Sequence, residues 1–294
     1  MTWKCSQFHE YECILSRSVP FGYETDVKTM AETLKRSTNA NFDVGAWADL
    51  TIDYTRREMT YDIDTFPAIA GIVRIIQELN GDEYYAGLWK SHFLDGLLWH
   101  CHLRKVEYLP VERRGEKSRD LKKRRIWTAP SWSWVSVKGA IDYFYAEEGI
   151  PYHREQCARL EECKVTCSGL DPFGVITDGF ARITGPVTPI IDVQTEDNAS
   201  GLPPSCIIQL GDGTSATANV VFDIDPHESC CALMIYTHVG LCIKQVEKTT
   251  DTFVRVGTIE VKTDWWMCKS YQRRSGNTRL TASDHCSPRT VTLI

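Results

Sequence analysis

The sequence predicts an α+β protein: a helical, Trp-rich N-terminal half packed with an antiparallel β-sandwich or partly open β-barrel that forms the C-terminal half. Three observations predict it. Apolar residues between positions 47 and 101 recur at three- and four-residue spacing, the period of one helix face. Beyond Ala158 the chain changes to short β-rich stretches divided by Gly, Pro and Asp. Between these regions lie Tyr84-Tyr-Ala-Gly-Leu-Trp89, Leu97-Leu-Trp99 and Ala129-Pro-Ser-Trp-Ser-Trp134, tryptophan-bearing segments with no group able to start a reaction. An indole is the largest apolar side chain, and its N–H needs a partner when buried. Trp89, Trp99, Trp132 and Trp134 are therefore expected to form a structural seam.

The elements follow in order. Residues 16–42 are rich in Ser, Thr, Asn and charge and read as a surface excursion. Trp47, Leu50 and Tyr54 give a first helical face before Met59. Asp64 or Thr65 caps a second helix with Pro67 in its first turn, and Ile69, Ile72, Val73, Ile76 and Leu79 form its apolar face. Asn80-Gly81 ends it through residues that accept a left-handed conformation. A third helix is expected from Ser91, with Leu94, Leu97, Leu98 and Cys101 on one side. Trp132 and Trp134, two apart, share one face of an extended strand and dock on the helix at 69–79.

The expected strands are Leu160–Thr166, Phe180–Thr184, Cys206–Leu210, Val220–Ile224, Ala232–Thr237, Leu241–Val246 and Phe253–Val261. Turns are expected at Asp171-Pro, Thr184-Gly-Pro, Gly211-Asp-Gly and Asp225-Pro. Regular punctuation of this kind favours a sandwich or partly closed barrel over a parallel α/β sheet. The division is thus 1–155, mainly helical with the Trp seam, and 156–294, an antiparallel β domain. A polar excursion is expected at about 269–289, with Thr290–Ile294 returning as a last strand.

At 294 residues the chain is long enough for a full core and one or two domains. Apolar residues make up 43% and charged residues 24%, ordinary for a soluble globular protein. A formal net charge of −6 provides no global attraction for nucleic acid or an anionic membrane. No apolar run is long enough to span a bilayer, and the first residues lack the apolar stretch of a secretory signal. The 12 cysteines read as free thiols of a reducing compartment, which places the protein in the cytoplasm or nucleus.

Candidate chemistry is sparse. Cys157, Cys163 and Cys167 are not followed by a second pair at zinc-ribbon spacing, and the adjacent side chains of His100-Cys101-His102 diverge too much to hold one tetrahedral ion from a helix. No metal and no cofactor is expected. No nucleophile elbow, zinc-protease helix or phosphate-cradling loop occurs, and Ser131 and Ser133 alternate with indoles. Asp223 and Asp225 share a strand face, but Pro226 follows at once, so the pair reads as a strand running into a turn. No catalytic residue is expected. The strongest charge anomaly is Arg104–Arg125, where 10 basic residues face 4 acidic ones, a balance of +6 against −12 for the rest. Within it Lys122, Lys123, Arg124 and Arg125 form a candidate basic contact patch or nuclear import signal. No aromatic residue interleaves the cluster before Trp127, which argues against a base-stacking groove.

The order of these phrases resembles the C-terminal region of fungal heterokaryon-incompatibility (HET) domain proteins. The stretches that carry the resemblance are Trp47, Tyr54-Thr-Arg-Arg-Glu-Met-Thr60, Asp64-Thr-Phe-Pro-Ala-Ile-Ala-Gly-Ile72, Tyr84-Tyr-Ala-Gly-Leu-Trp89, Leu97-Leu-Trp99 and Ala129-Pro-Ser-Trp-Ser-Trp-Val-Ser136. Asp171-Pro-Phe-Gly174 and Phe253-Val-Arg-Val-Gly257 are similar to the family's β-rich tail. The phrases of the N-terminal HET domain itself are missing, so the resemblance implies a companion region, a truncated member or a short paralogue. It implies a non-enzymatic role in self/non-self recognition and programmed cell death signalling, with a protein partner. Two other expectations stand beside it: a glycan or small-ligand module using the Trp cluster, and an accessory protein of fungal secondary metabolism.

Overall fold

The structure, a computed structural model, describes residues 2–4, 9–11, 43–57, 59, 61–101, 122–123, 127–143, 155–194, 205–209, 215–223, 229–246, 249–261 and 288–294, with backbone alone at 2–4, 9–11, 101 and 122–123. Strand outweighs helix among them, and the dominant element is a large, mainly antiparallel sheet. Strands β1 (Thr2–Lys4) and β2 (His9–Tyr11) pair with each other.

Helix α1 (Val44–Thr55) starts where the Asp43 side chain accepts the Ala46 N–H at 2.9 Å, satisfying one of the four free donors of a helix start. Trp47, Leu50 and Thr51 face the core. Helix α2 (Thr65–Asn80) ends as its sequence requires: Gly81 takes φ 69° and its N–H reaches Gln77 O at 2.8 Å. Its buried face is Phe66, Ile69, Ala70, Val73 and Ile76. Leu79, expected on that face, lies about half exposed at 51%. The stripe runs through positions 66, 69, 73, 76 and 80, and 79 falls outside it.

Strands β3 (Tyr84–Tyr85) and β4 (Leu88–Trp89) form a tight hairpin through Ala86 and Gly87, whose φ values of 45° and 102° are both positive. Positive φ at both central residues matches the right-handed twist of the flanking strands. The third expected helix is cut to α3 (Phe93–Gly96). Leu97 and Leu98 turn back through bonds to Phe93 O and Asp95 O, and β5 (Trp99–Cys101) pairs with β8 (Ile141–Tyr143). Tertiary burial of Leu97, Leu98 and Trp99 overrides the helical spacing. Strands β6 (Lys122–Lys123) and β7 (Val137–Lys138) form a further pair. The Trp132–Trp134 segment is not extended. Ser133 Oγ accepts the Val135 N–H at 3.1 Å and caps a 3-10 turn over Trp134–Ser136.

The C-terminal part contains β9 (Arg159–Cys167), β10 (Ile176–Gln194), β11 (Ser205–Gln209), β12 (Ser215–Phe222), β13 (Cys231–Met234), β14 (Val239–Gln245), β15 (Thr252–Val261) and β16 (Pro288–Leu293). The pairings β10–β13–β14–β15–β12–β11 return to β10, so the sheet closes on itself. The turn expected at Thr184-Gly-Pro does not form, because β10 runs straight through it. Pro186 lies opposite Pro288 in the register of β10 with β16, and Gly185 fits against Ala158 and Leu233. Just beyond, β10 exchanges β9 and β16 for β13 and β11 as neighbours. The excursion expected at 269–289 lies outside the described residues up to 287, while Pro288 and Arg289 already belong to β16.

The closed ring is narrow, and its interior is filled by small residues. Cys206, Ala216, Ala218, Ala232 and Cys242 alternate there with Ile208, Val220, Met234 and Ile259. The opposite faces of β13 and β14, carrying Leu233, Leu241 and Ile243, belong to a second and larger core. That core also takes in Ile183, Val291 and Leu293 and every buried apolar residue of α1, α2 and the Trp seam. Strands buried on both faces explain why 230–236 and 239–243 are apolar almost without interruption.

Candidate functional site

The tryptophans are organised by two polar hubs. The first is the carbonyl of Gly87 in the β3–β4 turn, which accepts the indole N–H of Trp47 at 3.2 Å and of Trp134 at 3.1 Å. Around it Trp47 meets the Trp89 ring edge-on, 5.5 Å between centroids, and Tyr54 meets Trp134 in the same way at 6.0 Å. A Cβ at residue 87 would stand 2.5 Å from Trp134 Nε1. Glycine is required there twice, for its φ and for that approach.

The second hub is Arg255 of β15, whose side chain is fully buried. Its guanidinium gives Nε to Asp223 Oδ2 at 3.0 Å and Nη2 to Oδ1 at 3.1 Å, a two-pronged pair. The remaining donors reach Leu97 O, at 2.5 Å, and Trp99 O. The cation stacks 3.4 Å from the Trp99 ring centroid. Trp99 in turn gives its N–H to Trp132 O at 3.0 Å, and the Arg255 backbone N–H is accepted by Ser131 Oγ at 2.9 Å. Arg255 therefore ties the barrel to both Leu97-Leu-Trp99 and Ala129-Pro-Ser-Trp-Ser-Trp134. Sequence reasoning passed over this residue and read Asp223 as part of a strand running into the turn at Asp225-Pro. The available signal was a lone Arg inside Phe253-Val-Arg-Val-Gly257, a charge that a buried strand tolerates only when paired.

Trp89, Trp99, Trp132 and Trp134 are exposed by 2% or less, so none of these four rings offers an open face to a sugar. Lys122 and Lys123 form β6 beside Val137 and Lys138. Arg124 and Arg125 lie outside the described residues. Of the cysteines weighed as metal ligands, Cys163 and Cys167 sit on β9 and Cys157 just before it. Burial pushes their thiols up, Cys163 to about 12 and Cys157 to about 11.

A groove of about 570 Å³ lies open to solvent between the β3–β4 turn, the start of α2 and the β9–β10 hairpin. Its apolar wall is Phe66, Tyr84, Ala86, Phe173 and Ile176, and its rim is the stretch 164–171. The hairpin tip is held by Asp171, whose carboxylate accepts the Phe173 N–H at 3.0 Å and pairs with Arg74 at 2.9 Å. Those two bonds, the backbone one foremost, hold the Asp171 carboxyl below its usual range. Arg74 also lies over the Phe173 ring at 5.3 Å. Burial raises the Tyr84 phenol far above its ordinary value and the Cys167 thiol to a smaller degree, so both stay protonated and neither serves as a base near neutral pH.

No family model matches this chain, and neither a curated protein nor a solved structure matches it.

Proposed function

We propose that this chain is a non-enzymatic recognition or regulatory module of the heterokaryon-incompatibility type, acting on a protein partner in the cytoplasm or nucleus. One observation carries the reading. The phrases behind the resemblance bond to one another: Gly87 of Tyr84–Trp89 to Trp134 of Ala129–Ser136, and Leu97 and Trp99 of Leu97-Leu-Trp99 to Arg255 of Phe253–Gly257. Residues that bond mutually in a buried network hold a shape. Binding then falls to the exposed rims and loops that this shape presents. The division into a mainly helical 1–155 and a β domain at 156–294 belongs to the same proposal, the first part serving as a cap on the barrel.

The test is expression of the chain alone in a compatible fungal host, with growth and membrane integrity followed over several generations. A recognition module without effector chemistry leaves viability unchanged. Growth arrest or death caused by the isolated chain overturns the proposal.

A further inference from the structure

The groove at the β9–β10 hairpin carries an inference about the partner's chemistry, which rests on the recognition reading above. Among the described residues strand β9 pairs with β10 alone, along one side. Ser168 gives its N–H to Val175 O at 2.7 Å, and Thr166 O accepts the Thr177 hydroxyl of β10 at 3.2 Å. Hydrogen-bonding direction alternates along an antiparallel strand, so Thr166 and Lys164 turn their backbone groups toward β10. Val165 and Cys167 turn theirs away from it. No backbone hydrogen bond reaches Val165 or Cys167 from that outer side among the described residues. Hairpin strand β3 closes this side near Cys163, whose thiol feels the Glu83 carboxylate, whereas the groove lies open along 165–167.

An open edge beside an apolar wall is matched by a chain that arrives extended, its main chain pairing with the edge and alternate side chains entering the groove. Charge selects the intervening residues. On β9, Arg159 is paired with Glu161 at 2.8 Å and Glu162 with Arg182 at 2.8 Å. Lys164 has no ion-pair partner among the described residues and lies 1 position from Val165. We propose that this groove binds a short extended segment of a partner protein as an added strand on Val165 and Cys167. Apolar residues at alternate positions meet Phe66, Tyr84 and Phe173, and an acidic residue lies beside Lys164.

The full chain is titrated with acetylated, amidated pentapeptides carrying Ile, Val or Phe at the odd positions and Asp, Glu, Lys or Ser at the even ones. Binding is followed by fluorescence anisotropy, and amide exchange is read residue by residue. Expected are saturable binding of the acidic members, exchange protection at Val165 and Cys167, and at least a tenfold loss on N-methylation of the peptide's central amide. Lys164→Glu, an exposed change that leaves the fold intact, shifts preference to the Lys-bearing peptides; Val165→Pro, if it folds, removes binding. Absence of binding by every peptide, protection confined to other residues, or equal binding of the N-methylated peptide overturns the site. Death of fungal cells expressing the chain overturns the recognition reading instead and is scored independently of these amides.

Discussion

At Gly87 a single carbonyl oxygen accepts two indole N–H groups, and the missing side chain lets Trp134 come close enough to make one of those bonds. The residue before it, Ala86, holds φ 45° and is buried, so the turn cannot relax outward to admit a larger neighbour. Gly87→Ala combines positive-φ strain with a steric overlap on Trp134, and the expected cost is about 2–4 kcal/mol. Gly71 provides the internal control. It lies on the exposed side of α2 with nothing near its would-be Cβ, so Gly71→Ala should stabilise by about 0.5–1 kcal/mol through helix propensity. Urea unfolding followed by tryptophan fluorescence measures both. A Gly87→Ala cost no larger than an average surface substitution would mean that the turn is not a hub.

At the scale of elements, the contact between barrel and Trp layer is keyed by a buried ion pair rather than by apolar fit alone. Arg255 sits on β15, Asp223 just past the end of β12, and the two carbonyls that Arg255 also reaches, those of Leu97 and Trp99, belong to the α3–β5 connection. Arg255→Met leaves the Asp223 carboxylate buried and uncompensated, with an expected cost of about 3–5 kcal/mol. Adding Asp223→Leu should recover most of it, because the apolar pair leaves no stranded charge. Arg255→Lys should not rescue, since an ammonium cannot reproduce the flat fork toward Asp223 and two carbonyls. Unfolding free energies of the wild-type chain, Arg255→Met, Asp223→Leu and the double variant give the coupling energy, and simple additivity would exclude a direct pair.

This pair also marks where the sequence stopped being legible. Strands with their own apolar alternation, such as Cys206–Leu210 and Phe253–Val261, were readable, as was the end of α2 at Gly81, which local capping chemistry sets, whereas the Asp64 side chain makes no capping bond at its start. The misread elements all obey distant partners. The helix expected through Cys101 is cut short so that Trp99 can reach Arg255 and Trp132. The run through Thr184-Gly-Pro stays extended because it pairs along β16, about a hundred residues later. The Trp seam was readable as burial, whereas the groove was not, since it is made by a hairpin tip and a turn that only the closed sheet brings together.

At the scale of the whole molecule, β13 and β14 belong to both cores, one on each face. Opening the barrel exposes the floor of the Trp layer, so the two parts are expected to unfold in one transition. Acidic groups with low values, such as Asp171 and Asp251, lie at the surface and give little leverage on stability. The leverage lies on the alkaline side. Burial raises the thiols of Cys163 to about 12 and of Cys157 and Cys230 to about 11, and raises Cys242 and the phenol of Tyr143 as well. An unfolded thiol loses its proton near pH 8.5, by the usual value for cysteine. Above that the folded state binds more protons than the unfolded one, and stability falls as pH rises. The contribution is complete below about pH 8.5 and is lost as pH climbs through the folded values. Melting temperature should therefore hold level between pH 6 and 8 and decline steadily from about pH 9. Cys163→Ala should flatten the onset of that decline while lowering stability at pH 7 only by its lost packing. Rapid alkylation of Cys163 in the folded protein at pH 8, or a melting temperature that stays level to pH 11, would show that folding does not hold these thiols protonated.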